Sequence, residues 1–315
     1  MKSAAYRRLE TVWAGDGVVV LDGGVGSELE RIGFPRNRNV GDLWGTVALY
    51  EAPDLAREVH CRYVRAGADV ITTHTWRIDG IPAAERAGIV DAANGGWRAR
   101  GRFAVELARA AAEEQGRGDE CAVAFSIWTE PADRGFIEDL AEAIEVAKPD
   151  LILAETTETI SDDLSFPALE PLIATGLPVW VSYRWTVDGP PDLRGQGITP
   201  IGGAIQHAGG ELFGRAAERL EALGVEAVLV NCVPRDRLPG MLPLLRGHTT
   251  LPLGLYPNVG TYLDPGWSFD EEASPAAYAV EALRWRDVEG ARIIGGCCGT
   301  TPEHIEAVVE ALGAR

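Results

Sequence analysis

The chain has 315 residues, 46% of them hydrophobic and 24% charged, with 37 Gly and 19 Pro. It is too apolar for a disordered tail, and its length suits two domains or one α/β barrel, which commonly runs to ~250 residues or more. Lys and Arg number 29 against 47 Asp and Glu, a net charge of −18 that repels phosphate backbones and anionic lipid, so neither nucleic acid nor membrane is an expected partner.

No apolar run approaches the ~20 residues that span a bilayer, and Met1 to Gly17 lacks the apolar segment of a secretory signal. The cytoplasm is the expected compartment. Lys2 and Lys148 are the only lysines. A Schiff-base enzyme needs a desolvated lysine in its pocket. Lys2 stands at the chain start and Lys148 before Pro149-Asp150, which disfavours aldolase-type and pyridoxal-phosphate chemistry. Five Cys, an odd and sparse set, do not make a disulfide framework.

Eight short apolar runs read as strands: Val18–Asp22, Ala68–Thr73, Ala122–Ser126, Asp150–Glu155, Pro178–Ser182, Ala227–Asn231, Leu251–Tyr256 and Ala291–Gly295. Most show no polar alternation, which suits strands buried on both faces of a parallel sheet. Helices are predicted between them. In Pro53 to Ala66, Leu55, Val59 and Tyr63 recur every fourth residue, with Pro53 in a first-turn position and Gly67 as the stop. Arg98–Glu114, Phe136–Ala147, Glu211–Leu223 and Ser274–Arg286 behave alike, and a last helix opens at Thr301-Pro302-Glu303.

Eight such units predict an α/β fold, a (β/α)8 TIM barrel occupying residues 1–315 as a single domain. The rival is an open doubly wound sheet. Asp22-Gly23-Gly24-Val25-Gly26 lacks the GxGxxG spacing, and the acid expected ~20 residues later is missing. Ser161–Pro171 and Thr186–Gly203 read as long loops at the barrel mouth.

Functional groups of a barrel gather at the C-terminal ends of its strands. By this rule Asp22, His74, Glu155, Ser182, Asn231-Cys232, Tyr256-Pro257-Asn258 and Gly295-Gly296-Cys297-Cys298-Gly299 share one rim. Three thiols from two strands then make a candidate catalytic zinc site: soft ligands, a tetrahedral ion and one open position. Glycines around Cys297-Cys298 let the chain turn sharply enough for both sulfurs to face one point. Cys61 and Cys121 read instead as small core residues. The alternative is a Gly-rich loop cradling phosphate, which explains the glycines but not the cysteines.

The runs LDGGVGSEL (Leu21–Leu29), Asp42-Leu43-Trp44, AGADVITTHT (Ala66–Thr75), VNCVP (Val230–Pro234), Tyr256-Pro257-Asn258 and GGCCGT (Gly295–Thr300) resemble the homocysteine S-methyltransferases, over nearly the whole chain. The resemblance implies zinc on Cys232, Cys297 and Cys298. It places Asp22 and Glu155 near the substrate's amino group, the backbone after Gly23, with Gly24, near its carboxylate, and Asn258 close to the metal. It implies a small-molecule thiol, homocysteine first, methylated to methionine by a cationic donor, S-methylmethionine or S-adenosylmethionine first. Such chemistry needs orientation more than a tuned general base.

Two regions depart from the family pattern. Phe125-Ser126-Ile127-Trp128-Thr129-Glu130-Pro131 replaces a Gly-Ser-(apolar)-Gly-Pro motif, and His74-Thr75-Trp76 replaces Asn-Thr-(aromatic). A different small thiol, a non-catalytic zinc or thiol-metabolite binder and a metal-free phosphate-binding lyase or isomerase therefore stay open. Trp44, Trp76, Trp128, Trp185 and Trp267 fall in or near rim loops. An aromatic face there returns ~1–2 kcal/mol to a desolvated cationic donor.

Overall fold

The structure is a computed structural model that describes residues 2–36, 41–91, 96–129, 134–157, 165–184, 199–201, 204–206, 213–263, 266–268 and 273–313. Helix α1 (Ala4–Ala14) precedes strand β1 (Val19–Val20), then α2 (Val25–Arg31), α3 (Pro53–Arg65), β2 (Val70–Thr72) and α4 (Gly96–Glu114). There follow β3 (Ala122–Ile127), α5 (Arg134–Ala147), β4 (Leu151–Thr157), α6 (Ser165–Ala174), β5 (Val179–Arg184) and α7 (Phe213–Leu223). The last units are β6 (Ala227–Pro234), α8 (Met241–Arg246), β7 (Leu253–Asn258), α9 (Pro275–Arg284), β8 (Ile293–Ile294) and α10 (Pro302–Leu312).

The eight strands pair in parallel in the order β1-β8-β7-β6-β5-β4-β3-β2. A parallel bridge from Leu21 to Val70, with Asp22 N–H donating to the Val70 carbonyl at 2.9 Å, returns β1 to β2. This is the expected (β/α)8 barrel. Up to the rim each strand is apolar because its side chains serve two cores in alternation, and Thr72, Ser126, Glu155, Ser182 and Asn231 follow toward the C-terminal ends. Ala122 and Ala124 of β3, Leu151 and Leu153 of β4 and Leu229 of β6 fill the barrel interior. Their neighbours Val123, Phe125, Ile152 and Val228 face the helices.

Four expectations need revision. Strands β1 and β8 are each two residues long, shorter than Val18–Asp22 and Ala291–Gly295, because the chain leaves the ladder early to form rim loops. The part of Ser161–Pro171 within the described residues is not loop: from Ser165 onward it is α6, despite Pro171, because Phe166, Leu169 and Leu172 are buried against the outer core. Within Thr186–Gly203, Thr199–Ile201 forms a two-stranded ribbon with Ala204–Gln206; residues 185–198 and 202–203 lie outside the described residues.

Helix α1, not among the predicted helices although Ser3 caps it and Ala5, Tyr6 and Leu9 share its buried face, closes the N-terminal end of the barrel. Its Tyr6 and Leu9 pack on Trp180 inside the barrel, and the Trp180 indole N–H donates to the Tyr6 hydroxyl at 3.0 Å. Among the described residues no helix is long and apolar enough to cross a membrane.

Candidate active site

The C-terminal ends of the strands enclose a cavity of about 300 Å³. Asp22, Gly23, Gly24, Glu155, Cys232, Cys297 and Cys298 all line it. Asn258 does not; it stands behind the cysteines, its Nδ2 donating to Cys232 Sγ at 3.7 Å and its Oδ1 accepting from the Cys298 N–H at 3.1 Å.

Backbone geometry explains how the thiols meet. The β6 ladder shifts register between Asn231 and Pro234, and Cys232 sits in that bulge with φ 51°. Bulges re-aim side chains next to active sites. Cys297 and Cys298 lie just past β8, in a loop tied to both neighbours. The Cys297 N–H donates to the Pro257 carbonyl at 2.8 Å, and the Gly296 N–H to the Asp22 carbonyl at 2.9 Å. Gly24 permits the close approach of the first and last loops, since a Cβ there would lie 2.6 Å from the Cys297 carbonyl oxygen and strike Ser27 Oγ.

The three sulfurs all lie within 4.8 Å of one another, and Cys297 and Cys298 are 4.0 Å apart. A tetrahedral ion with metal–sulfur bonds of ~2.3 Å spaces its ligands by ~3.8 Å. The trio could therefore hold a metal ion with little adjustment. Hydrogen bonds from Cys297 and Cys298 pull the Cys232 thiol well below its ordinary range, while the same bonds push Cys297 and Cys298 well above theirs.

Across the cavity stand two acids. Burial pushes Glu155 up to about 7, against a 3.0 Å hydrogen bond from the Ser126 hydroxyl. Burial also pushes Asp22 well above the carboxylate range, opposed by the Thr72 N–H at 2.7 Å and the Thr72 hydroxyl at 3.0 Å. Both carboxyls are poised to gain charge when a cation enters.

The departures fall in the same wall. His74 is buried, and its Nδ1 lies 3.2 Å from Nε2 of His60 on α3. Burial lowers both imidazoles, His74 to about 3. Of the rim tryptophans, Trp44 and Trp76 line the cavity and Trp128 does not. The face of Trp128 is covered by the Arg77 guanidinium, 4.4 Å from the ring centre. Trp185 and the side chain of Trp267 lie outside the described residues. Arg184 and Tyr256 also line the cavity. Tyr256 was legible in the Tyr-Pro-Asn run, whereas Arg184 had no sequence signal.

The family model described as "Homocysteine S-methyltransferase" matches residues 19–312, the whole barrel with all three cysteines. The chain belongs to the homocysteine S-methyltransferase family. It is 30% identical to the homocysteine S-methyltransferase of Escherichia coli K12 over 92% of this chain and 94% of that one. It is 28% identical to homocysteine S-methyltransferase YbgG of Bacillus subtilis, over 92% and 93%. It is also 26% identical to a selenocysteine Se-methyltransferase of Brassica oleracea, over 98% and 93%. The metallated form of the Escherichia coli homocysteine methyltransferase MmuM superposes with a TM-score of 0.69 at 25% identity, covering 96% of this chain and 98% of that one. Membership in this family makes the protein a methyltransferase by type.

Proposed function

We propose that this protein is a zinc-dependent S-methyltransferase, with residues 1–315 as one barrel domain, that moves a methyl group from a cationic sulfonium donor to homocysteine, giving methionine. The observation that carries this reading is the convergence of Cys232, Cys297 and Cys298 on one point at the barrel mouth. Three soft donors with one side open toward a cavity match zinc. When bound, the metal would accept the substrate sulfur at that open side and keep it ionised near neutral pH.

The chain's own residues bind and orient. Asp22 and Glu155 take the ammonium group of the amino-acid thiol, and the backbone at Gly23 and Gly24 faces its carboxylate. Asn258 steadies Cys232 and Cys298 from behind. The acceptor sulfur bonds to the methyl carbon as the donor's carbon–sulfur bond breaks, the donor sulfur departs neutral with the electron pair, and the thiol proton has been lost to solvent. Burial keeps both partners in line, so the rate comes from proximity rather than from a general base. S-Methylmethionine or S-adenosylmethionine is the donor in this reading, with Trp44 and Trp76 as the aromatic faces open to its cation.

A second reading keeps the chemistry and changes the acceptor to another small thiol or selenol. The His60–His74 pair favours it, because it rebuilds the wall where donor and acceptor meet. Five free cysteines support a reducing compartment, and we place the protein in the cytoplasm.

Metal analysis of purified protein, followed by mass spectrometry of zinc-loaded protein with a panel of thiols and methyl donors, tests both readings. About one equivalent of zinc and methionine from homocysteine support the first. Methylation of a different acceptor selects the second. No metal uptake by the reduced protein refutes both.

A further inference from the structure

We propose that Asn231 is a positioning residue whose side-chain amide clasps the bulged ends of β4 and β6 together, so that Glu155 and the Cys232 thiol face one cavity. This rests on the reading of the cysteines as a metal site.

Both strands break register at the rim. In β4 the shift falls between Ala154 and Thr157, and in β6 between Asn231 and Pro234. Each bulge holds one residue in the left-handed region, Thr156 at φ 63° and Cys232 at φ 51°. That region is costly for residues other than glycine, and most of all for a β-branched side chain such as threonine. Each strained residue adjoins or is a chemical group of the site, Thr156 beside Glu155 and Cys232 as a thiol. Something must over-determine both conformations.

A buried hydrogen-bond network does so. Asn231 Nδ2 donates to Thr156 Oγ1 at 3.0 Å. Asn231 Oδ1 accepts from the Ser182 hydroxyl at 3.0 Å, and Ser182 Oγ accepts from the Thr156 N–H at 3.3 Å. Ser182 Oγ is also bonded to the Tyr256 hydroxyl. The serine hydrogen is committed to Asn231, so Tyr256 must donate to Ser182. One donor and two acceptor positions on Ser182 are then all used. Asn231 and Ser182 are fully buried, and Thr156 and Tyr256 nearly so.

The network spans β4, β5, β6 and β7; among the described residues its direct bond between the two bulges is that from Asn231 to Thr156, and Ser182 bridges the same two residues from β5. Among the described residues the Glu155 side chain is tied to Ser126 and the Cys232 thiol to Asn258, so the separation of the two groups is set by the backbone on either side of the Asn231 amide. Asn231 does not line the cavity. It acts through Thr156 and through its own peptide link to Cys232.

The test is the Asn231→Leu variant, similar in size but unable to hydrogen-bond. Cobalt binding to the reduced protein, read by its sulfur-to-cobalt absorption against a competing chelator, reports the cluster without any turnover. Outer partners of metal ligands typically carry 10- to 100-fold in affinity, so cobalt affinity should fall about tenfold or more. The KM for homocysteine should rise with it by a similar factor, because Glu155 moves as well.

Adding Thr156→Gly, which makes the left-handed conformation easy, should restore a substantial part of both losses. If Asn231→Leu does not fold, Ser182→Ala carries the same test with a smaller expected loss, about threefold or more in cobalt affinity. Unchanged cobalt affinity and KM in whichever variant folds, or equal losses with and without Thr156→Gly, would overturn the clasp. Failure of the wild-type protein to bind cobalt would instead refute the metal-site reading beneath it.

Discussion

His74 Nδ1 lies 3.2 Å from His60 Nε2 in the wall of the cavity, with the ring centres 4.7 Å apart. The outer nitrogens, His74 Nε2 and His60 Nδ1, are buried with no hydrogen-bond partner among the described residues. A charged imidazole is strongly disfavoured there, so the pair is neutral.

That neutrality has a pH signature. The folded His74 value of about 3 lies below the ordinary 6.5, so the unfolded chain takes up a proton that the folded one refuses. Its stabilising contribution is complete above pH 6.5 and is lost as pH falls toward 3. At about pH 5 this one group removes about 2 kcal/mol. Glu155 runs the other way, since its folded value of about 7 favours the protonated fold and its contribution declines as pH rises from 4.5 through 7. The comparison must therefore be between variants. His74→Asn should lose about 2 kcal/mol less than wild type between about pH 7 and pH 5 in urea unfolding. Identical losses would contradict a buried neutral pair.

Removing a thiol should remove the metal. Cys297→Ser is expected to drop zinc content from about one equivalent to below about a tenth, and methyl transfer with it, while the melting temperature of the reduced metal-free form stays within a few degrees of wild type. Turnover that survives without zinc would break the mechanism.

Glu155 should make product binding pH-dependent. Methionine has no thiol, so its affinity isolates the amino-group contact. In wild type the affinity should weaken as pH falls below about 7, because the carboxylate that pairs with the ammonium becomes protonated. Glu155→Gln should bind methionine about 10- to 100-fold more weakly at pH 8 and lose the part of the pH dependence centred near 7. Calorimetric titration across this range decides it.

A methyl group at Gly24 should be intolerable. The added carbon meets the Cys297 carbonyl at 2.6 Å as well as Ser27 Oγ, and one of these belongs to the cysteine loop itself. Gly24→Ala should cost about 1–3 kcal/mol of stability and weaken metal binding together. A variant with wild-type melting and zinc affinity would show that the two loops do not need this contact.

The barrel was legible because each strand carries its own local signature. A parallel strand buried on both faces must be apolar along its length, and this holds whatever its partners are. The rim assignment followed from chain direction alone, since parallel strands deliver all their C-terminal ends to one side. In that way the sequence alone sets Asp22, Glu155, Cys232, Cys297 and Cys298 around one opening, and all five line the cavity. Asn258 was placed at the right end, but whether it faces the cavity or the backs of the cysteines depends on how the loop after β7 packs, and it packs behind them.

Other features arise from contacts between distant segments and leave no local trace. The prolines of α6 look like loop residues until Phe166 and Leu169 find the outer core. His60 reads as one more residue of an amphipathic helix, and acquires meaning only when α3 packs against the loop after β2 and meets His74. The left-handed backbone of Thr156 and Cys232 is opposed by their own side chains, so local preference argues against it. Closure of the sheet sets β4 and β6 on either side of β5, and there the Asn231 amide can bond across to Thr156 and hold what neither strand would adopt alone.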